Sequence, residues 1–514
     1  MAVAGLLGCL ACASGASAAP SNTYLSIFAG NGTAGAPTPG PATGSALYHP
    51  RDVAVDPTTG NLYIADYHNS EVEKVTPGGT LSIAAGTGSY GAPTPGRATH
   101  SALGNPAGVT VDSTGNLYIA DPFNNKVEKV TPKGTLSVIA GTGTAGAPTP
   151  GPATRSALDQ PYGVAADPNT GDLYIADYNN SRVEKVTPKG TLSIIAGTGI
   201  AGAPTPGPAS SSELRNPSDV TVDPTTGNLY IADPFNNEVE EVTPQGTLSI
   251  VAGIGTAGAP TPGPATQSAL NYPHGVAVNS TGDLYIADYN NSEVEKVTPQ
   301  GTLSIIAGTG AAGAPTPGPS THSALDQPLG VGVDPGTDDL YIADTNNNEI
   351  ERIGPPCPAP SGSLTGARLG PVALGMTRAQ TRKALPIYTV THNRSDFCLS
   401  GGPGIVVGYP SAGLLKSVSA HHRGRLRGKV VVVLTANHHY ALGHITAGTQ
   451  VAQVHRRLAK AGRFQIGANT WYVLQGRHAT WVLKVHHGTV VEVGIVNHAL
   501  SATSAGQRRL LTGF

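Results

Sequence analysis

Within residues 105–140, hydrophobic and polar positions alternate in four short runs that are separated by Gly, Pro and Asn. The runs occupy residues 108–112, 116–121, 127–130 and 135–140. Alternation over four to six residues between such turn formers is typical of β-strands with one buried face. The segment therefore predicts four antiparallel strands, which is the content of one propeller blade.

The same pattern recurs along the first two thirds of the chain. Leu-Tyr-Ile-Ala-Asp occurs six times with spacings of 55 or 56 residues, and its copies end at Asp66, Asp121, Asp177, Asp233, Asp288 and Asp344. A fixed period of this length indicates an array of one supersecondary unit. Each of these aspartates follows a strand, so we expect it to accept backbone N–H bonds at a turn.

The two ends of the array complement each other. The sixth unit stops at Gly354 without a fourth strand, whereas residues 24–30 form a spare fourth strand that matches residues 80–86. We expect the spare strand to close a ring, because an open array would leave exposed sheet edges. A linear solenoid is the alternative, although it does not need complementary half-units. The sequence predicts an all-β six-bladed propeller over residues 19–353, followed by a small α+β domain.

The small domain differs from the propeller in charge. Residues 1–360 contain 13 Lys and Arg and 31 Asp and Glu, a net charge of −18, whereas residues 361–514 contain 18 and two, a net charge of +16. This contrast indicates two domains, 19–353 and 363–514, with the Pro- and Ser-rich residues 354–362 as linker.

The basic domain reads as a mixture of helices and strands. Thr377 and Gln380 have the spacing of a capping box for a short helix, and residues 445–458 carry apolar positions at helical spacing. The expected strands are 405–409, 429–436, 470–474, 480–485 and 489–496.

The first residues have the character of an export signal. Residues 1–18 are almost entirely small or apolar and end in Ala-Ser-Ala, which resembles a signal-peptidase site. A lipoprotein signal at Cys9 and an ordinary apolar N-terminus are the alternatives. Removal of the signal would leave Cys357 and Cys398, which favours one disulfide over two free thiols in an oxidising compartment. Beyond residue 20, no run of about 18 apolar residues could cross a membrane.

Residues 105–112, 115–121 and 124–127 resemble the NHL repeat. The resemblance extends over residues 23–353. The Pro-rich insert between units is similar to a Gly-rich insert of bacterial and teneurin-type NHL arrays, although Pro and Thr replace its usual Asp. Families with this fold include recognition modules for proteins and RNA, sensors, and some metal-dependent lyases and lactonases, so the fold alone leaves the function open.

Function within the propeller is expected where the six units differ. The first two residues of each innermost strand, here termed the mouth pair, vary and would converge on one mouth of the central channel. The pairs are 51–52, 107–108, 162–163, 218–219, 274–275 and 329–330. The candidate ligand-binding residues are Arg51, Asp52, Tyr162, Asp219 and His274. Unselected variation among loop residues is the alternative.

The sequence offers little for catalysis at this mouth. A zinc lyase needs about three His ligands, and only His274 belongs to a mouth pair. A calcium lactonase needs Glu together with Asn or Asp, and no mouth pair contains Glu. The chain also lacks a Gly-x-Ser-x-Gly elbow and a phosphate-binding loop. We therefore expect no catalytic residue, no metal and no cofactor.

The densest basic segment covers residues 421–429. If it is extended, Arg423, Arg425, Arg427 and Lys429 share one face that could bind anions. A solvated charged loop is the alternative. The segment lacks the aromatic residues that usually stack on nucleic-acid bases, so we expect no nucleic acid as partner.

Residues 369–380 resemble small envelope modules with a BamE-like or β-lactamase-inhibitor-like fold, which implies a module that binds proteins. Together these features favour a monomeric, exported, non-catalytic binding or scaffold protein at the cell envelope. Its propeller would be the recognition platform, and its basic domain would contact an unidentified protein or an anionic envelope polymer. A metal-assisted lyase or lactonase acting at the propeller channel is the alternative.

Overall fold

A computed structural model describes most of the chain. The described residues are 23–77, 79–354, 364–365, 367–369, 371–377, 380–381, 387–391, 394–399, 402–411, 415, 420–427, 429–435, 445–446, 449–458, 461–466, 469–475, 479–486 and 489–497. Residues 1–18 and Cys357 lie outside them, so the export signal and the disulfide stay predictions. No helix in the described part is long and apolar enough to cross a membrane.

Residues 23–354 form six five-stranded antiparallel sheets, here numbered as blades 1 to 6. Blade 1 contains β2 (Gly40–Pro41), β3 (Pro50–Val55), β4 (Leu62–Asp66), β5 (Glu71–Val75) and β6 (Thr80–Gly86). Blade 2 contains β7 (Gly96–Arg97), β8 (Gly108–Val111), β9 (Leu117–Asp121), β10 (Lys126–Val130) and β11 (Thr135–Ala140). Blade 3 contains β12 (Gly151–Pro152), β13 (Pro161–Ala166), β14 (Leu173–Asp177), β15 (Arg182–Val186) and β16 (Thr191–Ala196).

The other three blades repeat this arrangement. Blade 4 contains β17 (Gly207–Pro208), β18 (Asp219–Val222), β19 (Leu229–Asp233), β20 (Glu238–Val242) and β21 (Thr247–Gly253). Blade 5 contains β22 (Gly263–Pro264), β23 (Pro273–Val278), β24 (Leu284–Asp288), β25 (Glu293–Val297) and β26 (Thr302–Gly308). Blade 6 contains β27 (Gly318–Pro319), β28 (Pro328–Val333), β29 (Leu340–Asp344), β30 (Glu349–Gly354) and β1 (Tyr24–Ala29). Short 3₁₀ turns connect many of the strands.

The propeller is a closed ring, as the sequence predicts. Each innermost strand contacts the innermost strands of both neighbouring blades, and β28 of blade 6 contacts β3 of blade 1. The N-terminal strand β1 is inserted in blade 6, where Tyr24 lies opposite Gly354 and Leu25 lies opposite Ile353. The expected complementation of the two chain ends is therefore confirmed.

The repeated pentapeptide explains how the blades pack. Successive residues of a strand point to opposite faces of its sheet. In β4, Ile64 belongs to a buried cluster that includes Tyr341 of blade 6, whereas Ala65 belongs to one that includes Leu103 and Ile119 of blade 2. A branched side chain thus fills one interface and a small one admits the next blade.

The described part of the C-terminal segment is mainly antiparallel sheet. One sheet contains β31 (Leu364–Thr365), β32 (Arg368–Leu369) and β33 (Val372–Ala373). The other has the order β34-β35-β36-β37-β41-β40-β39-β38. Its strands are β34 (Ile387–Thr391), β35 (Arg394–Leu399), β36 (Gly402–Gly408), β37 (Val432–Thr435), β38 (Gly462–Ile466), β39 (Asn469–Gln475), β40 (Thr480–His486) and β41 (Thr489–Val496). Two helices are present here, α1 (Ala420–Leu426) and α2 (Val451–Leu458).

Several predicted features of this domain are found. Thr377 N–H donates to Gln380 Oε1 (2.9 Å), and Gln380 N–H donates to Thr377 Oγ1 (3.2 Å), which is a capping box. Helix α2 lies in the predicted helical segment, and strands β36, β37, β39, β40 and β41 lie where strands are expected. Strands β31 to β35 and β38 lie outside the predicted strands.

Candidate ligand-binding face of the propeller

The six mouth pairs converge at one end of the channel, as the sequence predicts. All twelve of their residues line one constriction, whose free volume is about 10 Å³. That volume admits at most a single water molecule. Beyond the constriction the channel holds about 150 Å³ and is lined mainly by Val, Ala and Thr side chains. A ligand larger than water would therefore rest on the mouth rather than enter the channel from this side.

Arg51 occupies the centre of the mouth. Its guanidinium carbon lies 4.7 Å from the ring centroid of Tyr67 and 4.8 Å from that of Tyr162. Its Nη2 lies 3.4 Å from Nε2 of His274. Its Nε is buried without a hydrogen-bond partner among the described residues, and it forms no ion pair with a described acid. The cation is thus held by aromatic faces and keeps donor capacity for another group.

His274 acts as a neutral acceptor beneath this arginine. It is 7% exposed, and burial together with the charge of Arg51 lowers the pKa of the imidazole well below its usual value. Arg51 can only donate, so Nε2 of His274 must accept. The hydroxyl of Ser218 donates to the backbone oxygen of His274 (2.7 Å) and fixes its backbone.

The two aspartates of the mouth pairs join neighbouring blades. Asp52 accepts the N–H of Val53 at Oδ1 and that of Val109, in blade 2, at Oδ2, both at 2.8 Å. Asp219 accepts the N–H of Val276, in blade 5, at Oδ2 (2.9 Å). Burial raises the pKa of Asp52 to about 7 and raises that of Asp219, which the charge of Asp52 raises further. These oxygens are already occupied, which leaves Arg51 and Tyr162 as the predicted residues best placed for a ligand.

Aromatic residues surround Arg51. One series runs through Tyr162, Tyr178, Phe235, Tyr272 and Tyr289, with ring centroids 4.4 to 6.3 Å apart. A second series contains Tyr48, His49, His68, Tyr67, Phe123 and Tyr90. Phe123 and Phe235 remain 43% and 40% exposed. Sequence reasoning missed Tyr272, because this residue precedes its strand in a loop that shows no alternation of apolar and polar positions.

The aspartate that ends each pentapeptide has the structural role that was expected. Asp66 Oδ1 accepts the N–H of Tyr48 (2.8 Å), and its Oδ2 accepts from Asn69 Nδ2 (2.7 Å), which also donates to the carbonyl of Gly35. The other five blades repeat this bond set with Asp121, Asp177, Asp233, Asp288 and Asp344.

Each blade also buries a glutamate that sequence reasoning missed. The six residues are Glu73, Glu128, Glu184, Glu240, Glu295 and Glu351, all 0% exposed. Neither carboxyl oxygen of any of them has a hydrogen-bond partner among the described residues. Burial, and then the neighbouring pentapeptide aspartate, raises the pKa of each well above its usual value. The sequence feature that could have revealed these glutamates is the recurring Val-Glu-x-Val of the third strand, which places an acid among alternating buried positions.

The mouth does not supply a metal site. No three His, Cys, Asp or Glu side chains within the described ranges are grouped so that they could hold an ion. Burial lowers the pKa values of His49, His68 and His274, and the positive charge of Arg51 lowers each of them further. A fixed guanidinium among these rings repels a metal cation, so the residues do not fit the metal of a lyase or lactonase.

The basic segment of the C-terminal domain differs from its expected form. Arg423 and Arg425 belong to helix α1 rather than to an extended strand, and Arg427 N–H continues the helical bonding to the Arg423 carbonyl (3.1 Å). At about 100° per residue, Arg423 and Arg427 share a face and Arg425 lies on the other side. The predicted single stripe is therefore wrong, because the segment is helical, although all three side chains are exposed.

Comparison with known proteins agrees with the propeller. The Teneurin NHL domain matches residues 89–259 and 149–353, and the NHL repeat matches residues 47–74. Protein SUPPRESSOR OF QUENCHING 1, chloroplastic, from Arabidopsis thaliana is 24% identical over 327 residues, which cover 60% of this chain and 30% of that protein. Teneurin-4 from Mus musculus is 26% identical over 293 residues, which cover 48% of this chain and 10% of that protein.

Solved structures share the fold at low sequence identity. An auxiliary nutrient binding protein from Bacteroides ovatus superposes with a TM-score of 0.50 and 18% identity, over 65% of this chain and 77% of that chain. The chain spans less than a third of the length of either of the two curated relatives named above. The two Teneurin NHL domain matches together cover residues 89–353, just over half of the 514 residues. This chain therefore belongs to the Teneurin NHL domain family.

Proposed function

We propose that this chain is a non-catalytic binding protein whose propeller holds a ligand at the Arg51 mouth. The observation that carries the proposal is the state of Arg51. Its guanidinium is sandwiched between Tyr67 and Tyr162, and its Nε is buried without a partner in the described part of the chain. Arg51 as a whole is only half-buried and forms no ion pair with a described acid, so its guanidinium is available as a charged donor to an anionic ligand at the mouth.

The surroundings of Arg51 define the ligand. Asp52 beneath it is occupied by backbone N–H groups, and His274 beside it is neutral. The aromatic side chains around it offer flat apolar surface with hydroxyl tips. An anionic group attached to a ring or to a peptide fits this combination, and a carboxylate is one group that arginine recognises through paired hydrogen bonds.

The test is to screen the full chain on an array of oligosaccharides with and without uronic acids, together with acidic and neutral peptides. Arg51→Leu is the informative variant, since blade 6 carries Leu329 at the same position. We expect wild-type binding to carboxylated probes and a loss of at least about tenfold in the variant. Arg155→Gln, on the outer rim, is the matched control, since blade 5 carries Gln267 there. Equal binding by wild type and Arg51→Leu would overturn the proposal.

The basic C-terminal domain extends this role. We propose that the chain is exported and that the exposed arginines of helix α1 attach it to an anionic envelope polymer. Support comes from the separation of charge, with a net of +16 after residue 360 and −18 before it. N-terminal sequencing of protein recovered from the envelope tests the export signal, and a chain that starts at residue 1 inside the cytoplasm would contradict it.

The resemblance of residues 369–380 to BamE-like modules and the lyase or lactonase alternative carry less weight. No comparison supports the resemblance to BamE-like modules. A lyase or lactonase would need a metal site, and the described residues offer neither three metal ligands at the mouth nor an environment that tolerates a second cation beside Arg51.

A further inference from the structure

We infer that the groove between blades 1 and 2 is a second binding site, specific for small multivalent oxyanions. The groove has a volume of about 270 Å³ and lies away from the mouth. Its lining includes three cationic side chains, Lys74 from β5, Arg97 from β7 and Lys133 from the turn between β10 and β11. The lining contains no acidic residue.

The three cations are not neutralised by the protein. Within the described ranges, none of them forms an ion pair or a side-chain hydrogen bond. Asp56 lies close enough to the groove that its charge, after burial, raises the pKa of Tyr63. Its carboxylate accepts four hydrogen bonds from Thr58 and Thr59 and is therefore occupied.

Three of the other blades neutralise the cation at the position of Lys74. In blades 3, 5 and 6, the residues equivalent to Lys74 are Lys185, Lys296 and Arg352. They pair with Asp172, Asp283 and Asp339 at 3.2, 3.2 and 2.6 Å. Blade 1 has Asn61 in place of that aspartate, as blade 2 has Asn116 opposite Lys129, so no acid at this position compensates the charge of Lys74.

Arg97 is the residue of the groove that no other blade shares. The five other blades carry proline at this position, namely Pro41, Pro152, Pro208, Pro264 and Pro319. Lys133 lies on the adjacent turn, where blades 4 and 5 carry Gln245 and Gln300. One interblade groove thus combines an unpaired lysine, an additional arginine and a third cation.

The chemistry of the groove indicates its ligand. Three cations concentrated in a domain of net charge −18 form a local positive field that attracts anions. Arginine binds phosphate and carboxylate oxygens through paired donors, and lysine acts as a point charge. The volume is slightly below that of sites for drug-sized ligands. A small anion with two or more acidic groups, such as a phosphorylated or polycarboxylated metabolite, fits these conditions.

The test uses the full chain with pyrophosphate and citrate as separate probes in isothermal titration calorimetry at low salt. Three variants transplant the sequence of the sister blades into the groove: Asn61→Asp, Arg97→Pro and Lys133→Gln. Each substitution is native elsewhere in the propeller, so the fold is retained, which thermal melting verifies. Lys189→Gln, on the equivalent turn of blade 3, is the matched control.

We expect saturable binding of at least one probe by the wild type and by Lys189→Gln, with affinity at least about tenfold weaker in each groove variant. Stronger binding of pyrophosphate would assign phosphorylated ligands, and stronger binding of citrate would assign polycarboxylates. Binding that survives all three substitutions would belong to the basic C-terminal domain and would overturn the assignment. The absence of saturable binding to the wild type would overturn it as well.

Discussion

Asp52 of blade 1 and Asp219 of blade 4 lie three blades apart in the ring, and each carboxylate accepts the N–H of a valine in the following blade. The other four mouth pairs have glycine at this position. A Cβ at Gly330 would come within 2.7 Å of Asp52 Oδ1, and one at Gly163 within 2.5 Å of Asp219 Oδ1. The backbone of the following blade is equally close, with Arg51 O at 2.5 Å from the Gly330 Cβ position and Asp219 Cα at 2.5 Å from that of Gly163, so the close approach of the innermost strands requires these glycines.

Replacing Asp52 with Gly is expected to lower the free energy of unfolding by about 1–3 kcal/mol, because the buried Val53 and Val109 N–H groups lose their acceptor. Denaturant unfolding measures the loss. The pKa of Asp219 should fall at the same time, since the charge of Asp52 raises it, and NMR titration reports that change. An unchanged unfolding midpoint would contradict the role of Asp52 as a bond between blades.

The stability of the propeller is expected to decrease with rising pH. Burial raises the pKa of all six pentapeptide aspartates to about 6 to 8, with Asp66 at about 7 and Asp344 at about 8. The buried glutamates are raised as well. An acid with a higher pKa in the folded chain stabilises the fold fully below its unfolded pKa of about 4, and this contribution is lost as pH rises through the folded pKa.

Three histidines act in the opposite direction at low pH. The pKa values of His49, His68 and His274 are lowered, so their contribution is lost as pH falls below about 6.5. The acids should therefore dominate between pH 6.5 and 8.5. Urea unfolding at three values in this interval tests the expectation, and stability that is constant or rises with pH would refute it.

Glu128→Gln should make the unfolding free energy less dependent on pH. The amide cannot release a proton, so the variant should lose up to about 1.4 kcal/mol less per pH unit between pH 6.5 and 8.5 than the wild type. Glu213→Gln is the control, because Glu213 is only half-buried. Identical slopes for Glu128→Gln and the wild type would show that Glu128 is not the proton-binding group.

Ring closure depends on the first strand. Leu25 is fully buried in blade 6 whereas Ile27 is half-buried. Leu25→Ala should cost about 2–5 kcal/mol of unfolding free energy through transfer and cavity effects, and Ile27→Ala should cost less. Deleting residues 21–30 should lower the melting temperature further and promote aggregation, because β30 would become an unpaired edge. A deletion variant that melts with the wild type would contradict the closed ring.

Helix α1 predicts which arginines act together on an anionic polymer. Replacing Arg423 and Arg427 with Ser should weaken retention of the full chain on a heparin column more than replacing Arg425 and Lys429, since the first two share a helix face. Retention should fall as salt rises, because the Debye length decreases to about 8 Å at 0.15 M. Equal effects of the two double substitutions would indicate a diffuse charge rather than a binding face.

The propeller was predictable because the same pentapeptide occurs six times at nearly constant spacing. The mouth pairs could also be located, since position within a repeat determines position in a ring. The position of the Arg51 guanidinium between two tyrosine rings could not be predicted. Tyr67 belongs to the same blade and Tyr162 to blade 3, and contact across the ring depends on the diameter of the mouth. The buried glutamates contradicted the expectation that charged residues lie outside. The shared face of the basic residues was predicted only for an extended segment, because arginines alternate there, whereas residues 420–426 form a helix.

The position of β1 has a consequence for the order of synthesis. Tyr24 pairs with Pro319 of β27 and with Gly354 of β30, so the first strand has no partner until about 295 further residues have been made, and its longer partner β30 is complete only after about 330. At about 5–20 residues per second, the ribosome takes roughly a quarter of a minute to a minute to deliver that partner. During this interval the apolar residues of the strand are exposed, and the blades that are already synthesised cannot yet pack into a closed ring. A protein of this design would depend on holding factors while it is being made, more than a propeller whose last blade comes from one continuous segment.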